Sequence, residues 1–152
     1  MSEEKIKQEL EDKFSYLKDA VIIKRKGRIL VEVPLDKFNE VFVYVVKQMN
    51  FLALSAITGL DKGEGIFEVI YHLNQEGKIL LNLSVNLSKD NPEVKSVVAY
   101  CPSADIYERE LVDLLGIKVI GLAPGHRYPL PENWPKGEYP LRKDWKGSIT
   151  NK

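Results

Sequence analysis

The sequence predicts an α+β fold. It is a two-layer domain with a mostly antiparallel sheet covered by helices on one face, followed by an extended C-terminal arm. Three observations carry this reading. Residues 79–87 alternate, with Ile79, Leu81, Leu83, Val85 and Leu87 on one side and Asn82, Ser84 and Asn86 on the other, the period of a strand with one buried face. Phe38, Val41, Phe42, Val45, Val46 and Met49 recur at helical spacing and make an amphipathic helix. Residues 116–152 hold five of the eight prolines, five of the ten glycines and both tryptophans, with no periodicity after a short apolar run.

In order along the chain, Ser2 is placed to cap a first helix from Glu3 to Phe14, striped by Ile6, Leu10 and Phe14. Val21 to Arg25 and Ile29 to Val33 are β-branched runs around Lys26-Gly27, a hairpin signal. Pro34 ends the second run, and Asp36 is an expected N-cap for the amphipathic helix. Strands follow at Leu52 to Leu60, Ile66 to Asn74 and Ile79 to Leu87, separated by Asp61-Lys62-Gly63-Glu64-Gly65 and Gln75-Glu76-Gly77-Lys78. Asp90-Asn91-Pro92 breaks the sheet, and Pro92 to Tyr100 has room for a helical turn. A charged helix then spans Ala104 to Leu115, with Ser103 as N-cap, Asp105 in its first turn and Gly116 just past its end. Ile117 to Ile120 is a short strand. The expected organisation is a sheet domain over 1–101, the charged helix of the same domain over 102–116, and the arm over 117–152.

At 152 residues the chain is long enough for one domain with a real core. Basic and acidic side chains balance at 22 each, so no global field points to nucleic acid or a membrane surface. The balance is uneven along the chain. Residues 1–115 carry 15 basic and 19 acidic side chains, residues 116–152 carry 7 and 3. A basic tail on an acidic body suits contact with something acidic, either the body or a partner. The single cysteine, Cys101, excludes an intrachain disulfide and any multi-cysteine metal site. No signal peptide is evident, and no apolar run reaches the roughly 20 residues of a membrane span.

On the charged helix, Tyr107, Leu111, Val112, Leu114 and Leu115 make up the expected buried arc, while Arg109, Glu110 and Asp113 lie outside it. Glu108 falls inside the arc, between Leu115 and Val112. A carboxylate there needs a cation or several donors. Arg142 and Lys143 of the tail, or a group on another protein, are the candidates. The plainer alternative is that Glu108 snorkels at the arc's edge and Arg109–Asp113 is a routine i,i+4 pair worth about 0.2–0.5 kcal/mol.

The tail is long for a segment without regular structure. Its Tyr128, Trp134, Tyr139, Leu141 and Trp145 set it apart from disordered tails, which are poor in aromatics. Proline limits the entropy lost on ordering, and aromatic and arginine side chains serve as anchors. The pattern fits an extended arm lying across another surface.

The sequence contains no glycine-rich phosphate loop, no Gly-x-Ser-x-Gly and no His-Glu-x-x-His. His72 reads as a surface or packed strand histidine and His126 as a solvated loop residue. Glu108, Glu110 and Asp113 are acid/base candidates that charged helix faces usually explain structurally. Cys101 has no local basic group and reads as a buried, inert thiol.

Glu108-Arg109-Glu110-x-x-Asp113-x-x-Gly116-Ile117, followed by Pro140-Leu141-Arg142-Lys143-Asp144, resembles the 30 kDa subunit family of respiratory complex I. The resemblance covers Pro102 to Trp145. The same family supplies a subunit, or a fused N-terminal domain, in membrane-bound [NiFe] hydrogenases. Family members usually continue after the helix with a Gly-His-Pro-x-Leu-Arg-Arg type stretch. Here Leu122-Ala123-Pro124 departs from it and Gly125-His126-Arg127 echoes it, before Pro131-Glu132-Asn133-Trp134 resumes the pattern. The short chain is similar to the form in archaeal membrane-bound hydrogenases and their sulfur-reducing relatives.

The resemblance implies a non-catalytic structural subunit of the peripheral arm of a membrane-bound, hydrogenase-type, ferredoxin-linked and ion-pumping complex. It would lie on the cytoplasmic face of the membrane, with no span of its own. It implies no cofactor in this chain, with [NiFe] and iron–sulfur clusters in partners. Those partners are the large hydrogenase-like (49 kDa-type) subunit and the small iron–sulfur subunit. The expected interface residues are Glu108, Arg109, Glu110, Asp113, Gly116, Trp134, Pro140, Leu141, Arg142, Lys143, Asp144 and Trp145. Competing readings are the equivalent subunit of a sulfur-reducing or NADH/quinone-type complex, an enzyme using Glu108, Glu110 or Asp113 with His126, and a free adaptor domain with a disordered tail.

Overall fold

The computed structural model describes residues 1–147. Helix α1 (Glu3–Lys13) starts at Ser2, whose hydroxyl oxygen accepts from the Lys5 N–H at 3.3 Å. Its apolar stripe, Ile6 and Leu10, is fully buried. Strands β1 (Val21–Arg25) and β2 (Arg28–Glu32) form the hairpin that Lys26-Gly27 signals, with Gly27 at φ +74° as a tight hairpin turn needs.

Helix α2 (Phe38–Lys47) differs from expectation at its start. A 3₁₀ turn over Leu35–Lys37 already curls the backbone, so Asp36 sits inside that turn and makes no side-chain cap bond to α2. The buried face is as the spacing predicts: Phe38, Val41, Phe42, Val45 and Val46 all point inward.

Three long strands follow: β3 (Ala53–Gly63), β4 (Ile66–Gln75) and β5 (Ile79–Ser88). The five-stranded sheet has the order β1-β2-β5-β4-β3. All neighbours are antiparallel except β2 and β5, which run parallel with Ile29 opposite Leu81 and Val31 opposite Leu83. On the inner face Phe67, Val69, Tyr71 and Leu73 are fully buried. The rings of Phe38 and Phe42 pack on Tyr71 at 4.5 Å and 5.7 Å, which fixes α2 against the sheet.

The outer sheet face is less wet than its alternation predicts. Asn82 and Ser84 are only 8% and 2% exposed. They lie beneath a polar ladder in which His72 bridges Thr58 (2.8 Å) and Asn82 (2.6 Å), Asn82 donates to the Ile29 carbonyl (2.9 Å), and Ser84 donates to Glu68 (2.5 Å). His72 is therefore a packed strand histidine.

Beyond the sheet, the helical turn expected over Pro92–Tyr100 is replaced by strand β6 (Glu93–Lys95), and only a turn at Val97–Cys101 remains. β6 finds its partner after helix α3 (Ala104–Leu115), in β7 (Lys118–Ile120), to which it pairs in parallel. Ser103 adopts a helical conformation and makes no side-chain cap bond, contrary to its expected role. Gly116 ends α3 at φ +70°, and its N–H donates to the Leu111 and Val112 carbonyls, as a C-terminal glycine should. Residues 121–147 carry no helix or strand. The first surface this arm crosses is the protein's own, along α3 and the β3–β4 end of the sheet.

Candidate partner interface

Helix α3 is set down on β3 at Gly59. A Cβ there would come within 2.6 Å of the Leu111 side chain and 2.7 Å of that of Leu115. The missing side chain is what lets the helix approach.

Glu108 is fully buried. It finds donors rather than a cation: the Val97 N–H at 2.7 Å and the Ser96 hydroxyl at 2.7 Å. The expectation that Arg142 or Lys143 would pair with it is corrected. Burial pushes its carboxyl above the ordinary range, against the pull of the Val97 and Ser96 hydrogen bonds. Its work is local: it ties the β6 turn to α3.

Arg109 also chooses differently from expectation. Its partner is Asp105, one turn back, at 2.9 Å and 3.0 Å, and not Asp113. It donates further to the Ala123 carbonyl at 3.0 Å. Asp113 is left to receive the arm, from Arg127 Nε at 3.1 Å and the Leu130 N–H at 3.0 Å. Arg127 also donates to the Trp134 carbonyl at 2.9 Å. The stretch Leu122–Tyr128 is thus held against α3 by Arg109 and Arg127.

The end of the arm returns to the end of the helix. Arg142 donates from Nε to the Leu115 carbonyl at 2.7 Å, and its guanidinium lies 4.5 Å from the Tyr139 ring centre and 5.3 Å from that of Phe67. Gly116 lies beneath it: a Cβ there would meet the Tyr139 ring at 2.6 Å and the guanidinium at 2.7 Å. The Lys143 N–H donates to Asp61 at 2.9 Å, and Asp61 also accepts from the Gly63 N–H (2.8 Å) and Lys89 (3.5 Å). The Lys143 and Gly63 N–H groups hold the Asp61 carboxyl below its ordinary value, outweighing its desolvation, and Lys89 adds to the effect. Asp144 pairs with Lys89 at 3.1 Å. Trp134 and Trp145 pack ring to ring at 5.9 Å and donate, respectively, to the Glu138 carbonyl and carboxylate.

Of the expected interface residues, then, Arg109, Asp113, Arg142 and Asp144 contribute their functional groups to latching the arm, Gly116 leaves room for it, and Trp134 and Trp145 pack within it. Lys143 latches it through its backbone. Pro140 is half-buried. Glu110 is half-buried and Leu141 is exposed. Among the described residues Glu110 has no hydrogen bond or ion pair, and Leu141 is 52% exposed. The latching residues Asp61, Phe67, Lys89 and Arg127 were not among those expected, and Tyr139 was expected only as one of the tail's aromatic anchors. His126, with its side chain fully exposed, lies 3.8 Å from Glu132. Cys101 is buried, and burial raises its thiol pKa. Among the described residues no cluster of three or more His, Cys, Asp or Glu side chains is placed to hold a metal ion, and no helix is long and apolar enough to cross a membrane.

Residues 31–151 match the family described as "Respiratory-chain NADH dehydrogenase, 30 Kd subunit". The chain belongs to that family. It is 34% identical over 122 residues to a subunit of the F(420)H(2) dehydrogenase of Methanosarcina mazei, covering 79% of this chain and 77% of that one. It is 34% identical over 123 residues to formate hydrogenlyase subunit 5 of Escherichia coli, covering 78% of this chain and 21% of that protein. Among solved structures, a component of the membrane-bound sulfane sulfur reductase, an archaeal respiratory membrane complex, superposes with a TM-score of 0.81 at 28% identity over 93% of this chain and 84% of that one. In this member of the 30 kDa subunit family, the two motif blocks are neighbours in space: Gly116 closes the first, and Arg142 of the second packs on it.

Proposed function

We propose that this protein is a structural subunit of the cytoplasmic peripheral arm of a membrane-bound, hydrogenase-type redox complex. It docks to the large catalytic-type subunit and helps hold it beside the small iron–sulfur subunit. The [NiFe] and iron–sulfur chemistry belongs to those partners. The observation that carries the reading is the face built by α3 and the latched arm. Arg109, Asp113, Arg127, Arg142 and Asp144 are tied down within the chain, which stiffens it, while Ile106 (44% exposed) and Leu141 face outward and the half-buried Glu110 is left without a partner among the described residues. A rigid face with exposed apolar side chains suits a permanent partner. The residues from 117 onward are proposed to act as an arm seen by that partner from its outer side.

A second reading is the equivalent subunit of a sulfur-reducing or quinone-linked complex, favoured by the likeness to the sulfane sulfur reductase component. One experiment separates these. The tagged protein is purified from detergent-solubilised membranes and the retained large subunit is sequenced. A large subunit with four metal-binding cysteines supports the hydrogenase reading, and one without them supports the second. Recovery of the tagged protein alone contradicts both.

A further inference from the structure

Every other acidic side chain on α3 is engaged. Asp105 holds Arg109, Glu108 holds the β6 turn and Asp113 holds the arm. Glu110 alone, among the described residues of this helix, is an acid without a hydrogen bond or ion pair. It stands on the rim of a groove of about 190 Å³ between β3, α3 and the arm. Thr58 and Gly59 form one wall, and Leu114 and Leu141 the other. The Leu141 N–H donates to the Leu114 carbonyl at 3.0 Å, so the arm fixes the shape of that wall. Ile106, one turn before Glu110, is exposed and extends the apolar surface along the helix.

The volume is below the roughly 300–1,000 Å³ usual for small-molecule sites. It suits one long side chain. The chemistry selects which: a groove with one leucine wall and, on its rim, a carboxylate that lacks a counter-charge fits an aliphatic stem with a cationic head. We infer that the groove between α3 and the arm receives an arginine side chain from the large subunit, its stem along Leu114 and Leu141 and its guanidinium on Glu110. This rests on the docking reading above and adds to it the contact that orients the two proteins. Once covered by Ile106 and its surroundings, such a pair is shielded from solvent, where removing one partner has a large effect on dissociation.

The test uses the assembled complex. Leu141 is replaced by the photo-crosslinker p-benzoylphenylalanine, and the crosslinked peptide is sequenced. In parallel, complex recovery is measured for Glu110→Gln and Glu110→Lys. The expected results are a crosslink to a large-subunit segment containing an arginine, and a fall in recovery of at least about tenfold for Glu110→Lys. Recovery should return when that arginine is changed to glutamate in the Glu110→Lys background. The isolated Glu110→Lys protein should melt like the wild type, since Glu110 holds nothing within the chain. Wild-type recovery with Glu110→Lys, or a crosslink to a segment without arginine, overturns the groove assignment and leaves the docking reading standing. If the wild-type protein retains no large subunit, the docking reading fails and the groove assignment with it.

Discussion

Arg142 closes the end of helix α3 by donating its Nε–H to the carbonyl of Leu115, 27 residues earlier, at 2.7 Å. The last carbonyls of a helix lack intrahelical partners, and a cation there also meets the negative end of the helix dipole. The same guanidinium lies against the Phe67 and Tyr139 rings. One side chain therefore joins the helix, the sheet and the arm.

Lysine cannot replace it, because an ammonium has neither the planar fork nor the flat face. Arg142→Lys should lower stability by about 1–2 kcal/mol. It should also speed proteolysis within residues 136–147, with α1 and α2 cleaved no faster. Urea titration and timed trypsin digestion check the two parts.

Asp61 makes the arm's attachment sensitive to acid. Its carboxyl titrates below the ordinary aspartate value of 3.8, first because of the Lys143 N–H, then the Gly63 N–H. A depressed carboxylate contributes stability fully present above its unfolded pKa, and lost as pH falls through the lower folded value. The arm should therefore stay docked from neutral pH down to about 4 and loosen below 3.8. Asp61→Asn should abolish this acid step. The fluorescence of Trp134 and Trp145, both in the arm, followed against pH, reads it.

Glu108 has the opposite sign. Its carboxyl titrates above the ordinary glutamate value of 4.5, so the folded state binds its proton more tightly than the unfolded chain. The stability it contributes is present in full below 4.5 and declines as pH rises from there through the raised folded value. Glu108→Gln keeps an acceptor for the Val97 N–H and should flatten that slope. Glu108→Ala orphans both the Val97 N–H and the Ser96 hydroxyl and should cost about 2–3 kcal/mol. Chemical denaturation of both variants at pH 5 and pH 8 is the check.

Gly59 has no room for growth. Gly59→Ala places a methyl against Leu111 and Leu115 and should destabilise by about 1–3 kcal/mol through overpacking. Gly59→Val should separate α3 from β3 altogether. Thermal melts followed by circular dichroism measure the first, and loss of protection of Tyr107 and Leu111 amides reports the second.

Much of this fold is legible in the residues. The alternation of Ile79 to Leu87 places β5, and the spacing of Phe38 to Val46 places the buried face of α2. Gly116 marks the end of α3 because only a residue tolerant of positive φ fits there. The features that escape the sequence share a cause: each depends on a distant or featureless partner. A three-residue strand such as β6 is too short to show a period, and its partner lies past α3. Ser2 caps a helix and Ser103 does not, because Ser103 is already in the helical region and the sequence does not encode that difference. Likewise, the helical pattern reveals that Glu108 needs a partner. Its partners are a backbone N–H, which every residue but proline carries, and the hydroxyl of Ser96, an ordinary serine twelve residues upstream, so neither carries a charge that advertises it. Asp61 has the surroundings of an ordinary turn residue, and the N–H it receives comes from 82 positions away.

Docking of the α3 and arm face to the large subunit is tested most directly by hydroxyl-radical footprinting of the intact complex against the isolated protein. Ile106 and Leu141 should lose reactivity in the complex, while Ile22 on β1 and Leu35 in the 3₁₀ turn after β2, both exposed, keep theirs. Undiminished labelling of Ile106 and Leu141, with protection at Ile22 and Leu35, would place the interface on the other side of the molecule and contradict the account.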